Sequence, residues 1–324
     1  MNAGKTRLGI VMDPIAGITP KKDSSLAMLL EAQARGYEIS YMEQGGLWLD
    51  CGTAWGEMRP LEVADDPERW YTLGEASRRR LAELDVILMR KDPPFDMEYV
   101  YTTYILGRAR EAGCLVVNSP DALRDMNEKA YTAWFPDFVP RTVITRSMDT
   151  MRTFLDEVQR MVVKPLDGMG GRSIFSVRKG EPNTNVILET LTGHGHRYAM
   201  AQQFIPEITE GDKRVIIVDG EPVPYALARI PTEADGRGNL VMGAKGVGRE
   251  LSERDREIAT TVGAVLKREG VLFAGLDVIG EYLTEINVTS PTGIRELDRE
   301  FGINIAGLLF DAIEARLARA SATG

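Results

Sequence analysis

Between residues 7 and 117 short apolar runs alternate with segments of helical period, and this alternation limits the possible folds more than any other feature of the chain. Arg7–Met12, Glu38–Met42, residues 85–89 and Leu115–Val117 read as strands. Residues 24–35 read as a helix with Asp23 or Ser24 as cap and Gly36 as stop, and residues 99–112 as a second helix stopped by Gly113. Strands separated by helices predict a parallel sheet covered by those helices, because parallel neighbours need a crossover connection. Residues 43–72 hold Trp48, Trp55 and Trp70, show no clear period and yield no assignment.

After Asn127 the texture changes to short strands: residues 141–144, 161–164, 173–177, 197–204, 214–218 and Glu221–Ile230. Asp219-Gly220 between two apolar runs is a hairpin turn signal. Helices are expected at residues 148–159 behind Ser147, at 252–269 opening with Ser252-x-x-Asp255 and ending at Gly270, and at about 304–319. The change predicts an N-terminal α/β unit, residues 1–126, and a second, α+β unit, residues 127–324. Residues 231–249 carry five glycines with little period, and so long a loop in a compact domain predicts a functional lid or disorder.

Composition narrows the function. A length of 324 residues suits roughly two domains, and 44% hydrophobic with 27% charged residues is a globular balance. No run approaches the ~18 apolar residues of a membrane span, and the apolar run before Asp13 is too short for a signal peptide, so a cytoplasmic protein is expected. The net charge of -9 disfavours partners bound through nucleic-acid phosphates. The basic run Arg78-Arg79-Arg80 reads as a solvated helix face. Cys51 and Cys114 fit a reduced compartment rather than a disulfide framework. The two histidines, His194 and His196, share one glycine-rich loop, so zinc sites and histidine relays lack raw material and any metal chemistry must use oxygen ligands.

Two stretches can carry chemistry. In residues 162–173 a strand runs into Gly168-Met169-Gly170-Gly171, whose backbone N–H groups can form a nest for an anion, with Lys164 at the strand end as a point charge. The loop is neither a Walker A nor a dinucleotide fingerprint, and alone it reads equally as a plain turn. Residues 272–288 read as two strands around a short turn. Alternation puts Glu285 and Asn287 on one face and Thr284, Ile286 and Val288 on the core side. A three-residue loop, Gly280-Glu281-Tyr282, would pair Ile279 with Leu283 and set Asp277 opposite Glu285. Facing carboxylates are destabilising unless something neutralises them, and Mg²⁺ with substrate phosphates suits such a set. A solvated polar face is the other reading. Together with Lys129, Arg214, Arg229 and Arg237, the two stretches hold the parts for phosphoryl transfer: positioning, charge neutralisation and a cover.

These and other stretches resemble the bacterial glutathione synthetases of the ATP-grasp superfamily over essentially the whole chain. The matching runs include Lys21-Lys-Asp-Ser-Ser25, Ile87-Leu-Met-Arg-Lys-Asp-Pro-Pro-Phe-Asp96, Lys164-Pro-Leu-Asp-Gly-Met-Gly-Gly171, Gly211-Asp-Lys-Arg214 and Leu283-Thr-Glu-Ile-Asn-Val-Thr-Ser-Pro-Thr292. Departures fall in residues 51–70, at 234–235 and at 241–247. The resemblance implies an N-terminal parallel-sheet domain followed by an ATP-grasp fold whose subdomains, residues 127–204 and 205–324, clasp ATP. It implies that Lys129 and Lys164 hold the nucleotide phosphates, that Gly168, Met169, Gly170 and Gly171 cover them, and that the backbone of Gln202, Gln203, Phe204 and Ile205 reads the adenine, with Asp212 also on the nucleotide. Asp277, Glu285 and Asn287 become ligands of Mg²⁺ or Mn²⁺. Arg214 and Arg229 stand at the reacting carboxylate, and Arg237, Ser290 and Thr292 at the peptide. The family reaction joins γ-glutamylcysteine to glycine through an acyl phosphate. A homo-oligomer, a tetramer, is implied as well, with neither nucleic acid nor membrane as partner. A D-alanine–D-alanine type of ligase would differ in the substrate stretches. An ATP sensor without turnover would be expected to lack one of Asp277, Glu285 or Lys164, all present.

Overall fold

The computed structural model describes residues 5–231 and 245–323. The N-terminal part runs β1 (Arg7–Met12), α1 (Ser24–Ala34), β2 (Glu38–Met42), β3 (Leu47–Asp50), β4 (Thr53–Val63), β5 (Tyr71–Leu73), β6 (Ser77–Arg80), β7 (Val86–Arg90), α2 (Met97–Glu111), β8 (Leu115–Val117) and α3 (Pro120–Asp125). β1 pairs in parallel with β2 and β7, and β7 with β8, as the alternation requires. The unassigned tryptophan-rich stretch extends this sheet. β4 pairs antiparallel with β2, and β3, β5 and β6 pair with β4. The arginine run is strand β6, not a helix face. Arg78 and Arg80 lie over the rings of Trp48 and Trp55, which are stacked 6.1 Å apart.

The middle part runs β9 (Thr142–Thr145), α4 (Met148–Val158), β10 (Arg160–Pro165), β11 (Phe175–Arg178), α5 (Thr184–Thr192) and β12 (Ala199–Gln203). Its sheet is antiparallel, in the order β11-β10-β12-β9, and its helices enclose a local core around Met151, Leu155, Val163 and Leu188. The last part runs β13 (Asp212–Val218), β14 (Glu221–Ile230), β15 (Lys245–Glu250), α6 (Glu253–Arg268), β16 (Phe273–Ile279), β17 (Tyr282–Asn287), α7 (Ile294–Phe301) and α8 (Ile305–Thr323). Its antiparallel sheet has the order β15-β14-β13-β16-β17. Alternate residues of β13 enter different cores: Val215 and Ile217 join Ile258 and Val262 of α6, while Ile216 and Val218 join Leu309 and Phe310 of α8. Both faces of this sheet are therefore covered. Among the described residues no helix is long and apolar enough to cross a membrane.

The two larger cores do not respect the change of texture near Asn127. One joins Val11, Ile87 and Leu106 to Ile258, Leu276 and Ile286, and the other joins Leu8, Ile10 and Leu88 to Phe273, Leu309 and Ile313. Asn118 ties the same halves by polar contacts. Its buried side chain donates to the carbonyls of Phe273 (2.7 Å) and Val288 (2.6 Å) and accepts from the N–H groups of Leu272 (2.9 Å) and Phe273 (3.0 Å). All the donor and acceptor positions of the amide are thus in use.

Local signals explain several boundaries. Ser252 Oγ accepts from Asp255 N and Asp255 accepts from Ser252 N, the reciprocal cap that starts α6. α2 begins at Met97, two residues ahead of the sequence expectation, because Asp96 accepts from Tyr99 N. The Asp219-Gly220 turn takes positive φ at both residues (48° and 87°), the form that matches hairpin twist. Helix α6 passes so close to this turn that a Cβ on Gly263 would sit 2.1 Å from the Gly220 carbonyl oxygen. Gly263→Ala is accordingly expected to cost about 2 kcal/mol in urea unfolding, even though alanine is the better helix former. An unchanged or raised midpoint would refute that close approach.

Candidate active site

The four-stranded and five-stranded sheets face one another across a cavity of about 1160 Å³, which Asp92 and Pro93 of the N-terminal part also reach. Its acidic wall is the β16–β17 hairpin. The turn has two residues, Gly280 and Glu281, with Ile279 opposite Tyr282 and Val278 opposite Leu283, so the expected three-residue loop with Ile279 paired to Leu283 is corrected. A register shift follows at once, Thr284 being the extra residue, and it returns Asp277 to its place opposite Glu285. The Thr284 hydroxyl donates to Asp277 O at 3.1 Å across this bulge. Asn287 lies opposite Gly275, whose carbonyl takes its amide N–H at 3.2 Å, which leaves the amide oxygen as the atom able to accept a cation.

Cations neutralise the two carboxylates. Arg214, in β13 directly opposite Asp277, donates to both of its carboxylate oxygens, and Arg229 from β14 reaches Asp277 Oδ2 at 2.9 Å. Both guanidinium groups are buried. Burial by itself would raise the Asp277 carboxyl, and Arg214 and Arg229 overcome it and hold the group below the usual carboxylate range. On Glu285 burial is likewise outweighed, by Lys129 and Lys164, and its pKa is lowered. Lys164 Nζ is 3.1 Å and Lys129 Nζ 3.9 Å from Glu285 Oε1. Lys129 also donates to Gly168 O at 2.6 Å and to Glu128, which links the glycine-rich loop to the lysine. In that loop Gly170 and Gly171 take φ of 67° and 75°, a conformation that side chains rarely adopt. Asp212 accepts from Arg229, but its Oδ1 is buried without a hydrogen-bond partner. Burial, with the charges of Asp277 and Glu285 adding to it, pushes this carboxyl up to about 7 against the pull of Arg229.

Of the residues singled out from sequence, Lys129, Lys164, Gly168, Met169, Gly170, Gly171, Gln202, Gln203, Phe204, Ile205, Asp212, Arg214, Arg229, Asp277, Glu285, Asn287, Ser290 and Thr292 all line the cavity. Arg237, and the part of the expected lid at residues 232–244, lie outside the described residues, whereas residues 245–249 of that expected loop are corrected to strand β15, held in the sheet by its ladder with β14. Glu128 and Arg160 line the cavity too and were not anticipated. Burial, with the Glu285 charge behind it, raises the Glu128 carboxyl. The signal for Glu128 was its place beside Lys129. For a metal the donor set fits a hard divalent cation: two facing carboxylates and an amide oxygen on one strand pair. Among the described residues no group of three or more His, Cys, Asp or Glu forms a cage of its own. That leaves coordination positions for phosphate oxygens and water, as Mg²⁺ prefers.

Two antiparallel sheets close on one cavity, with Lys164 of one reaching the carboxylate hairpin of the other, where Arg214 and Arg229 also stand, and the class this belongs to is that of the ATP-grasp ligases. Solved structures of distant sequence share the fold. D-Cycloserine synthetase superposes with a TM-score of 0.66 at 16% identity, covering 96% of this chain and 99% of its own, and D-alanyl-alanine synthetase A from Vibrio cholerae with 0.60 at 12%, covering 97% and 99%. Within the class, sequence decides. The family model described as the N-terminal domain of prokaryotic glutathione synthetase matches residues 6–124, and the one for its ATP-grasp domain residues 128–302. Glutathione synthetase of Shewanella oneidensis is 58% identical over 96% of this chain and 99% of its own length, and that of Salmonella typhimurium 58% identical over 97% and 99%. The chain belongs to the prokaryotic glutathione synthetases, ATP-dependent carboxylate–amine ligases.

Proposed function

We propose a division of labour among the cavity residues for the reaction that joins γ-glutamylcysteine to glycine, with ATP converted to ADP and phosphate. Lys129 and Lys164 hold the nucleotide phosphates under the Gly168–Gly171 loop, and the Gln202–Ile205 backbone receives the adenine. Asp212 offers its unpartnered Oδ1 to a hydroxyl of the nucleotide. Arg214 and Arg229 hold the cysteinyl carboxylate as it takes up the γ-phosphoryl group. The same guanidinium groups then offset the negative charge of the tetrahedral intermediate formed when the glycine amine attacks the acyl phosphate. Ser290 and Thr292, with Arg237, bind the peptide. Asp277, Glu285 and Asn287 would hold Mg²⁺ or Mn²⁺, which when bound would offset negative charge on the phosphates. Residues 1–126 form the substrate-side unit and 127–324 the ATP-clasping unit. In the cell we place the enzyme in the cytoplasm, as a homotetramer.

The observation that carries this reading is the convergence on one cavity of every described residue that it uses. The test is direct. Purified protein with ATP, Mg²⁺ and γ-glutamylcysteine is expected to release one phosphate per glutathione formed on addition of glycine, and D-alanine alone is expected to yield no dipeptide. D-Alanyl-D-alanine as the product would move the chain to the other ligase reading. Light scattering on the eluted protein checks the tetramer.

A further inference from the structure

Two cations on the cavity wall, Arg160 and Arg172, have no part in the roles above, and Arg160 is the one beside the linker. Along β10 the residues alternate so that Arg160, Val162 and Lys164 line the cavity while Met161 and Val163 sit in the local core. Lys164 marks the carboxylate end of this row, at Glu285. Four residues of extended chain cover about 13 Å, so Arg160 stands at the far end of the same face. There it meets the linker: Met161 pairs with Gln203, and Phe204 N donates to Arg160 O at 3.1 Å. The Arg160 guanidinium carbon lies 3.3 Å from the centroid of the Phe204 ring, and Nε donates to Ser176 Oγ at 3.1 Å.

The surroundings give this cation little reason to be there for the fold. Among the described residues no carboxylate makes an ion pair with it, and its neighbour across the β10–β11 ladder is another cation, Arg178. Burial and the Arg178 charge lower the Arg160 pKa, against a smaller opposing effect of the Glu181 charge. A planar guanidinium, already stacked on one ring and held by Ser176, presents a fixed flat group with N–H donors left over, which an ammonium on a flexible stem does not.

We infer that Arg160, stacked on Phe204, is a recognition residue for the base end of the nucleotide. Its plane extends the wall beside the linker, and its remaining N–H groups serve the acceptor nitrogens of the adenine. The inference rests on the reading of this cavity as the ATP site, and not on the assignment of the residues at the reacting carboxylate.

Full-length protein and three variants test it. Arg160→Ala is expected to raise the KM for ATP about three- to thirty-fold, the span from an exposed to a desolvated contact between a cation and an aromatic ring. The KM values for γ-glutamylcysteine and glycine stay put, and kcat changes by less than about twofold, because a contact equal in ground and transition states affects binding alone. In calorimetry the Kd for ADP rises by the same factor while that for inorganic tripolyphosphate does not. Arg160→Lys, which keeps the charge and loses the plane, stays impaired. Phe204→Leu weakens ADP as well, and combining it with Arg160→Ala adds little. Wild-type protein that fails to bind ADP would overturn the ATP site and this inference together. With wild-type binding normal, unchanged ADP affinity in Arg160→Ala overturns the inference alone. An equal loss for tripolyphosphate, or full recovery in Arg160→Lys, would also overturn it, since either makes Arg160 a bare charge.

Discussion

Glu285→Gln is expected to lower kcat by about 10²–10³ with little change in the unfolding midpoint, the loss typical of removing one strong electrostatic group from a transition state. The amide fills the same space and still offers an oxygen to Lys164, which lies 3.1 Å away. What disappears is a negative charge that faces Asp277 across the hairpin and stands beside Lys129 and Lys164. Single-turnover phosphate release at saturating ATP and Mg²⁺ is the measurement. A variant that turns over at the wild-type rate would remove Glu285 from the proposed cation site and leave it a structural counter-ion of Lys164.

The largest stability effect is expected far from any substrate. Asn118→Ala leaves two carbonyls and two N–H groups buried at the ends of β16 and β17 without their partners. With about 1–3 kcal/mol for each group that water cannot reach, and partial relaxation, the loss should come to about 4 kcal/mol. Asn118→Asp should be nearly as damaging. It keeps the shape and the acceptor toward Leu272 and Phe273, but it turns an oxygen toward the Phe273 and Val288 carbonyls where an N–H had been. Urea unfolding followed by circular dichroism reads the change, and a shift below about 1 kcal/mol for both variants would mean that water replaces the amide at this joint.

Much of this architecture is legible in the sequence, and the failures have physical causes. The parallel core of the N-terminal sheet shows because its strands are separated by capped helices. Strand β4 stays hidden because its pattern changes phase: Ala54, Gly56 and Met58 are buried, then Leu61 and Val63, with Pro60 at the break. A period-2 count over that stretch cancels itself. Helix α5 carries the β-branched pair Val186-Ile187 among threonines, a weak helical signal that packing against β10 overrides. Helix α3 had a usable cue in Ser119-Pro120, a proline at the first turn.

The site was more readable than the fold, because its residues come from a few contiguous runs. The exception is instructive. The turn is one residue shorter than the sequence suggests and the bulge at Thr284 adds one back, so the pairing of Asp277 with Glu285 was right for a reason that pattern reading does not contain. Glu128 escaped for the opposite reason. Its surroundings are tertiary, set where Ile286 N donates to Glu128 O at 2.8 Å, and its place beside Lys129 is the one local cue.

The mixed cores also bear on the order in which the protein can be made. Strand β1 and helix α1 leave the ribosome early, yet Leu8, Ile10 and Leu29 share their core with Leu309, Phe310 and Ile313 of α8. Arg35 waits for Asp311 and Glu314, and the Tyr37 ring for Phe310, 5.3 Å away. Nascent chains commonly fold their N-terminal domain first, but here that domain remains open on one side until α8 arrives. A chain truncated before α8 would leave Leu8, Ile10 and Leu29, among the first residues made, without part of their cover.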